Sequence, residues 1–204
     1  VPRRNAKLGR DFYTRRDTLR VARELLGKRL VVPAPAGERV SARIVEVEAY
    51  LGPEDRAAHS YGGRRTPRTE TMYAIGGTVY VFFVYGMHHQ FNVVAGPRDV
   101  PHAVLVRAVE PVEGVEWMQG RRPARKLSEL TSGPGKLCQA LGIDRSFDGE
   151  DLTRSRRVWL EDAGEAVEPD RVAAGARIGI AYAGADAHKP WRFWLKDNVY
   201  VSRK

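Results

Sequence analysis

The stretch Glu46-Val47-Glu48-Ala49-Tyr50-Leu51-Gly52-Pro53-Glu54-Asp55-Arg56-Ala57-Ala58-His59 runs out of a strand into a loop, and the rest of the chain is read outward from it. Residues 40–49 alternate, so Val40, Ala42, Ile44, Glu46 and Glu48 share one strand face. Two carboxylates therefore end an otherwise apolar face just before the Gly52-Pro53 break. Tyr50 follows at once, and His59 returns from the loop. A carboxylate at a strand end, with an aromatic and a histidine nearby, supplies a base and the walls of a pocket for a flat ligand. The plainer alternative is a surface strand whose acids pair with arginines, pairs that contribute little when exposed.

Toward the N-terminus, residues 1–10 are basic and poor in core residues and read as a loose arm. Residues 17–26 read as a helix capped by Asp17 or Thr14, with Leu19, Ala22, Leu25 and Leu26 on one face and Gly27 ending it. Strands are expected at 30–32 and 40–48, joined through Pro33 and Gly37. Residues 57–77 are rich in Gly, Arg and Thr and read as a long loop, a length that usually marks function or mobility. Residues 78–85 carry the strongest strand pattern, 90–94 form the return strand, and 85–89 the hairpin tip. Further strands are expected at 103–108, 159–160, 176–182 and 191–195, and helices at 112–119 and 135–141. With no repeat, low-complexity segment or linker, residues 1–204 read as a single domain of mixed α/β (α+β) class.

The chain is 43% hydrophobic and 29% charged, with a net charge of +9, which fits a globular domain with a polyanionic partner. Arginine supplies much of the excess, and no basic amphipathic helix stands out, so nucleic acid is favoured over a membrane surface. One cysteine, Cys138, excludes an intramolecular disulfide, and neither a zinc-type Cys pair nor an HExxH spacing is present. No metal and no cofactor are expected. No apolar run has the length of a membrane span or a signal-peptide core, so an intracellular, cytoplasmic or nucleoid location is the expectation.

Several residues remain to be placed. Tyr85-Gly86-Met87-His88-His89 is an odd composition for a tight turn, and in a basic protein such a tip can act as a wedge between bases. Folding of Tyr85 back onto the sheet is the equal alternative. Phe82 and Asn92 lie on adjacent strands of this hairpin and can both face a pocket floor. Arg107 interrupts an apolar strand and needs a carboxylate, Glu46 or Glu48, or a phosphate. Ser132-Gly133-Pro134-Gly135-Lys136 sets backbone N–H groups and a lysine at a helix start, an anion site without Walker A spacing.

Taken together, residues 43–55, Ala57-Ala58-His59-Ser60, Tyr85-Gly86-Met87, Asn92, Leu105-Val106-Arg107-Ala108-Val109-Glu110-Pro111 and residues 132–141 resemble the alkyladenine (3-methyladenine) DNA glycosylase family of the mammalian type. The resemblance runs from about Leu8 onward, in order and with similar spacing. It implies a curved antiparallel sheet with flanking helices and a protruding hairpin that intercalates in the DNA minor groove. It also implies a monofunctional glycosylase of base excision repair that flips alkylated or deaminated purines out of duplex DNA. Glu48 would activate water, and Arg107 would hold that water or a phosphate. Tyr50, His59, Phe82 and Asn92 would form the base pocket, with Asn92 crowding the guanine 2-amino group. Tyr85 and Met87 would intercalate, and Arg64, Arg65, Thr66 and Lys136 would contact the DNA backbone. Phe82 stands where mammalian members carry tyrosine, and His88-His89 replaces other residues beside the wedge. A monomer acting on double-stranded DNA containing damaged purines is expected, and Glu46 is expected to be structural.

Two other readings compete. A non-catalytic nucleic-acid-binding module would use the same basic surface. A bifunctional lyase would need an amine nucleophile, and no lysine lies near the pocket motifs.

Overall fold

The long strand β3 (Ser41–Tyr50) organises the sheet because both of its edges are used. The structure, a computed structural model, describes residues 5–84 and 86–203, so the hairpin-tip Tyr85 lies outside the described residues. On one edge β3 pairs along its length with β6 (His102–Glu113). The other edge is shared. Residues 41–43 pair with β2 (Arg29–Val31), and residues 46–48 pair with β9 (Arg192–Leu195). Between these halves the β3–β6 register slips at Val45 and again at Arg107. Paired bulges of this kind increase local twist and re-aim side chains.

The antiparallel sheet continues from β6 to β5 (His88–Ala95) and β4 (Val79–Val84). Beyond β2 lie β7 (Trp159–Asp162) and β1 (Ala6–Lys7), while β8 (Val172–Gly175) pairs with β9. The result is a curled sheet in one α+β domain. Among the described residues it is flanked by the α-helices α1 (Arg10–Tyr13), α2 (Thr18–Leu25), α3 (Val115–Arg121) and α4 (Pro134–Leu141). Asp17 caps α2 by accepting from the Arg20 N–H at 2.9 Å.

Strand alternation divides the sheet into two faces. Val47, Ala49, Phe91, Val93, Val104 and Val106 pack with Val21 and Leu25 of α2 and Leu137 and Leu141 of α4 in the main core. Each such buried Val, Leu or Phe side chain contributes about 1.5–3 kcal/mol relative to exposure. The opposite face carries a smaller cluster of Met72, Tyr80, Phe82, Val94 and Ala103. The exposed edge of β4 is blunted: Asp148 accepts from the Val81 N–H at 2.9 Å, and Arg145 donates to the Val81 carbonyl at 2.9 Å.

Several elements differ from the sequence reading. The part of the basic arm that is described is anchored, because Ala6–Lys7 pairs with β7, Leu8 is buried, and Arg10 binds Asp151 at 2.5 Å. The helix expected from 112 begins at Val115, since Val112 and Glu113 continue β6 until Gly114 turns at φ 69°. His88 and His89 belong to β5, opposite Val84 and Phe83, rather than to the tip. The strand expected at 176–182 is a loop followed by the 3-10 segment Ala181–His188. Its apolar alternation is broken at Gly179, which adopts φ 77°. The long loop contains only 3-10 turns, Tyr61–Gly63 and Glu70–Tyr73, yet it buries Ala57, Ala58, Ser60, Thr69 and Met72.

Candidate active site

Register builds the site. Glu48 of β3 lies opposite Leu105 of β6, Leu105 opposite Asn92 of β5, and Asn92 opposite Tyr80 of β4. Directly paired residues share a face, so this row crosses the sheet on the side away from the main core. One step along, Tyr50 faces Ala103, and Phe82 faces Gln90. These rows floor a cavity of about 380 Å³ lined by, among others, Tyr50, His59, Phe82, Asn92 and Arg107. A volume of that order accommodates a ligand of nucleobase size.

Glu48 is fully buried and does not itself line the cavity; the three residues that hold its carboxylate, two by hydrogen bonds and one as an ion pair, do. The Tyr50 hydroxyl donates to Oε2 at 2.7 Å, and the Ile178 N–H donates to Oε1 at 2.7 Å. Arg107 Nη1 lies 3.2 Å from Oε1. A carboxylate oxygen offers about two acceptor sites, and Oε2 has only the Tyr50 hydroxyl as a hydrogen-bond donor. The acceptor count on Oε2 therefore leaves one site for a further donor such as water.

Glu46, also fully buried, is the more heavily engaged acid, with four hydrogen bonds. Its Oε1 accepts from Arg107 Nε at 3.0 Å, Arg192 Nε at 2.8 Å and the Ser202 hydroxyl at 2.9 Å. Its Oε2 accepts from the Ser202 N–H at 2.7 Å. Arg107 thus bridges both acids, the pairing expected from its position in an apolar strand. The β6 bulge at Arg107 is what lets one guanidinium reach two carboxylates on the neighbouring strand.

The walls are aromatic. His59 and Phe82 meet edge to face with ring centroids 4.4 Å apart. His59 Nδ1 lies 3.0 Å from the Tyr80 hydroxyl. Burial, with Arg68 nearby, depresses the His59 pKa to about 4, so its ring is neutral at neutral pH. Burial raises Tyr80 to about 12 and, reinforced by Glu48, holds Tyr50 well above its ordinary value. Both hydroxyls therefore stay protonated. Asn92 gives its side-chain amide to the carbonyls of Tyr80 (3.1 Å) and Gln90 (3.3 Å), which leaves its own oxygen for the cavity.

Residues that the sequence reading missed hold Tyr50 in place. The Arg177 guanidinium lies between the Tyr50 ring, at 4.7 Å, and the Trp191 ring, at 5.0 Å. It pairs with fully buried Asp55 at 2.5 and 2.8 Å and donates to the Ala49 carbonyl at 2.9 Å. Asp55 in turn accepts from the N–H groups of Leu51 and Ala57, fixing the turn after β3. An arginine in an Arg-Ile-Gly-Ile run offered no sign of this, because its partner lies 122 positions away.

The remaining candidates are dispersed. Met87 is exposed at the hairpin turn. Arg65 is engaged within the molecule, with Glu70 at 2.6 Å and Asp99 at 3.0 Å, and stacks on Tyr73. Arg64 and Thr66 are exposed and line a depression with Arg68, beside His59. Lys136 sits in the first turn of α4. Among the described residues, no three His, Cys, Asp or Glu side chains are grouped as metal ligands, and no helix is long and apolar enough to cross a membrane.

Residues 11–199 match the family model described as methylpurine-DNA glycosylase. A relative from Desulfitobacterium hafniense, provisionally named a 3-methyladenine DNA glycosylase, is 52% identical, covering 97% of this chain and 99% of its own. Relatives with the same provisional name from Clostridium perfringens and Methanocella arvoryzae are 47% and 49% identical over 97% of this chain. These relatives are bacterial and archaeal, so they lend no support to the mammalian branch of the resemblance.

Proposed function

The chain belongs to the methylpurine-DNA glycosylase family, and from that premise we propose that it extrudes a damaged purine from duplex DNA into the aromatic cavity and hydrolyses its N-glycosidic bond. The observation that carries this reading is the buried Glu48 carboxylate, fixed by Tyr50, Ile178 and Arg107 with one acceptor site left over. A water on that site gives its proton to Glu48 as its oxygen adds to C1′ of the deoxyribose. The C1′–N bond breaks with its electron pair going to the purine, and the sugar passes through an oxocarbenium-like state that a nearby carboxylate stabilises. An abasic strand and a free base result. Among the described residues that line the cavity there is no lysine, which favours hydrolysis without strand cleavage.

The substrates follow from leaving-group chemistry. Purines alkylated at N3 or N7 already carry positive charge and depart without further help. Hypoxanthine and ethenoadenine need protonation. Neutral His59 and the rings of Tyr50 and Phe82 supply flat apolar walls that favour a purine over water. Asn92 crowds the 2-amino group of undamaged guanine, so the discrimination is steric. Tyr85 and Met87 at the hairpin tip fill the gap that extrusion leaves in the stack, and Arg64, Thr66 and Lys136 meet the backbone.

The test is single-turnover base release from duplexes bearing 7-methylguanine, hypoxanthine or ethenoadenine. Glu48→Gln keeps the size of the side chain and should retain lesion binding while losing about 10²–10⁴ in rate, the usual worth of a general base. Near-normal release by that variant rejects the mechanism, and no release by the unaltered protein on any lesion rejects the activity.

A further inference from the structure

Among the described residues, two arginines line the cavity, Arg107 and Arg203. Arg107 spends Nε on Glu46, Nη1 on Glu48 and Nη2 on Ser202. Asn92 spends its amide on backbone carbonyls, and His59 faces the Tyr80 hydroxyl. Arg203 also lines the cavity and is solvent-exposed. Among the described residues, no carboxylate lies within ion-pair distance of its guanidinium. Among the described residues that line this cavity, it is the positive charge without a carboxylate partner.

The backbone that carries Arg203 is fixed. Both the Ser202 N–H and its hydroxyl donate to Glu46, and Arg192 donates to the Arg203 carbonyl. Upstream, Asn198 donates to Glu110 at 3.0 Å and accepts from the Tyr200 N–H at 2.9 Å, while Tyr200 and Val201 are buried. An exposed cation on an ordered backbone costs less to immobilise on a ligand than one on a free strand. A guanidinium is donor-only and planar, matched to a phosphodiester rather than to an apolar purine face already walled by aromatics.

We propose that Arg203 is a substrate-binding residue that grips the phosphodiester flanking the extruded nucleotide at the cavity mouth. This rests on the glycosylase reading above, because a flipped nucleotide brings its own flanking phosphates to the mouth. Glu46 then has two duties: it neutralises the arginine behind the cavity and anchors the segment that presents Arg203.

The test couples variant to substrate. Affinity is measured for Arg203→Ala, Arg203→Lys and the unaltered protein on a lesion duplex, with each phosphate around the lesion replaced in turn by an uncharged methylphosphonate. Arg203→Ala should weaken lesion binding about tenfold and flatten the salt slope by about 0.9, the signature of one lost phosphate contact. Arg203→Lys should recover part of the affinity. At one phosphate flanking the lesion, methylphosphonate should weaken the unaltered protein by the same factor and Arg203→Ala no further. Equal weakening of lesion and undamaged duplexes, no coupling to any flanking phosphate, or unchanged affinity each overturns the proposal. Because the readout is binding, it stands apart from the base-release assay. Absent base release with intact phosphate coupling rejects the glycosylase reading and leaves the contact.

Discussion

Glu46→Gln separates the two buried acids, and its consequence can be worked from the contacts. The carboxylate accepts four hydrogen bonds: from Arg107, Arg192, and both the N–H and the hydroxyl of Ser202. A glutamine keeps the size but turns one oxygen into a donor. If its oxygen serves the two arginines and the hydroxyl, its NH₂ confronts the Ser202 N–H, a donor against a donor. The negative charge also vanishes between side chains only 8–9% exposed. Arg107 still has Glu48, whereas Arg192 is left, among the described residues, with the Arg203 carbonyl and the Trp194 ring at 4.4 Å. Removing one partner from a buried ion pair costs about 3–5 kcal/mol. For a domain of this size that corresponds to a Tm lower by on the order of 10 °C. Thermal melts followed by circular dichroism measure the loss, and single-turnover base release well below the lowered Tm measures what chemistry survives. The expected pattern is a damaged fold with residual catalysis, the inverse of Glu48→Gln. A Glu46→Gln protein as stable as the unaltered one, yet unable to release base, would refute the division of labour between these two carboxylates.

Two further outcomes follow from packing and from pH. Burial holds the His59 pKa near 4 against an ordinary 6.5, so between those pH values the unfolded chain binds a proton that the folded chain does not. Stability should therefore fall as pH drops from 6.5 toward 4, by up to about 3 kcal/mol from this group. Urea melts of His59→Gln across that window should show a shallower decline than the unaltered protein; parallel curves would contradict the buried, neutral histidine. Gly76→Ala would place a Cβ 2.4 Å from the Tyr13 carbonyl oxygen and 2.8 Å from that of Gly96, both backbone atoms with little room to yield. A loss of at least about 1–3 kcal/mol is expected, and a denaturant midpoint unchanged from the unaltered protein would show that the three segments are not interlocked there.

The sequence by itself was sufficient for the elements whose pattern is local. The alternation through β3, the hairpin strands, the capped α2 and the Gly133-Pro134 start of α4 all appear near where periodicity and capping put them. Glu48, Tyr50, His59, Phe82, Asn92 and Arg107 were legible as candidates for the same reason. Each is a polar or aromatic departure inside a short pattern, or part of a long motif. What only the tertiary structure decided is how they meet. Compensating bulges in β3 and β6 set one arginine between two acids, and cross-strand register aligns Glu48 with Asn92 across Leu105. The segments that finish the site were invisible or misread. Residues 177–180 looked like a strand because Ile178 and Ile180 alternate, yet a left-handed Gly179 and the buried Arg177–Asp55 pair hold them as a loop. Ser202 and Arg203 carry no pattern at all. Hydrophobic period and helix caps are written within a few residues of one another, whereas Ile178 for Glu48, Arg177 for Asp55, and Arg192 and Ser202 for Glu46 stand more than 100 positions away and are chosen by chain closure, charge compensation and the bulges that bring them within reach.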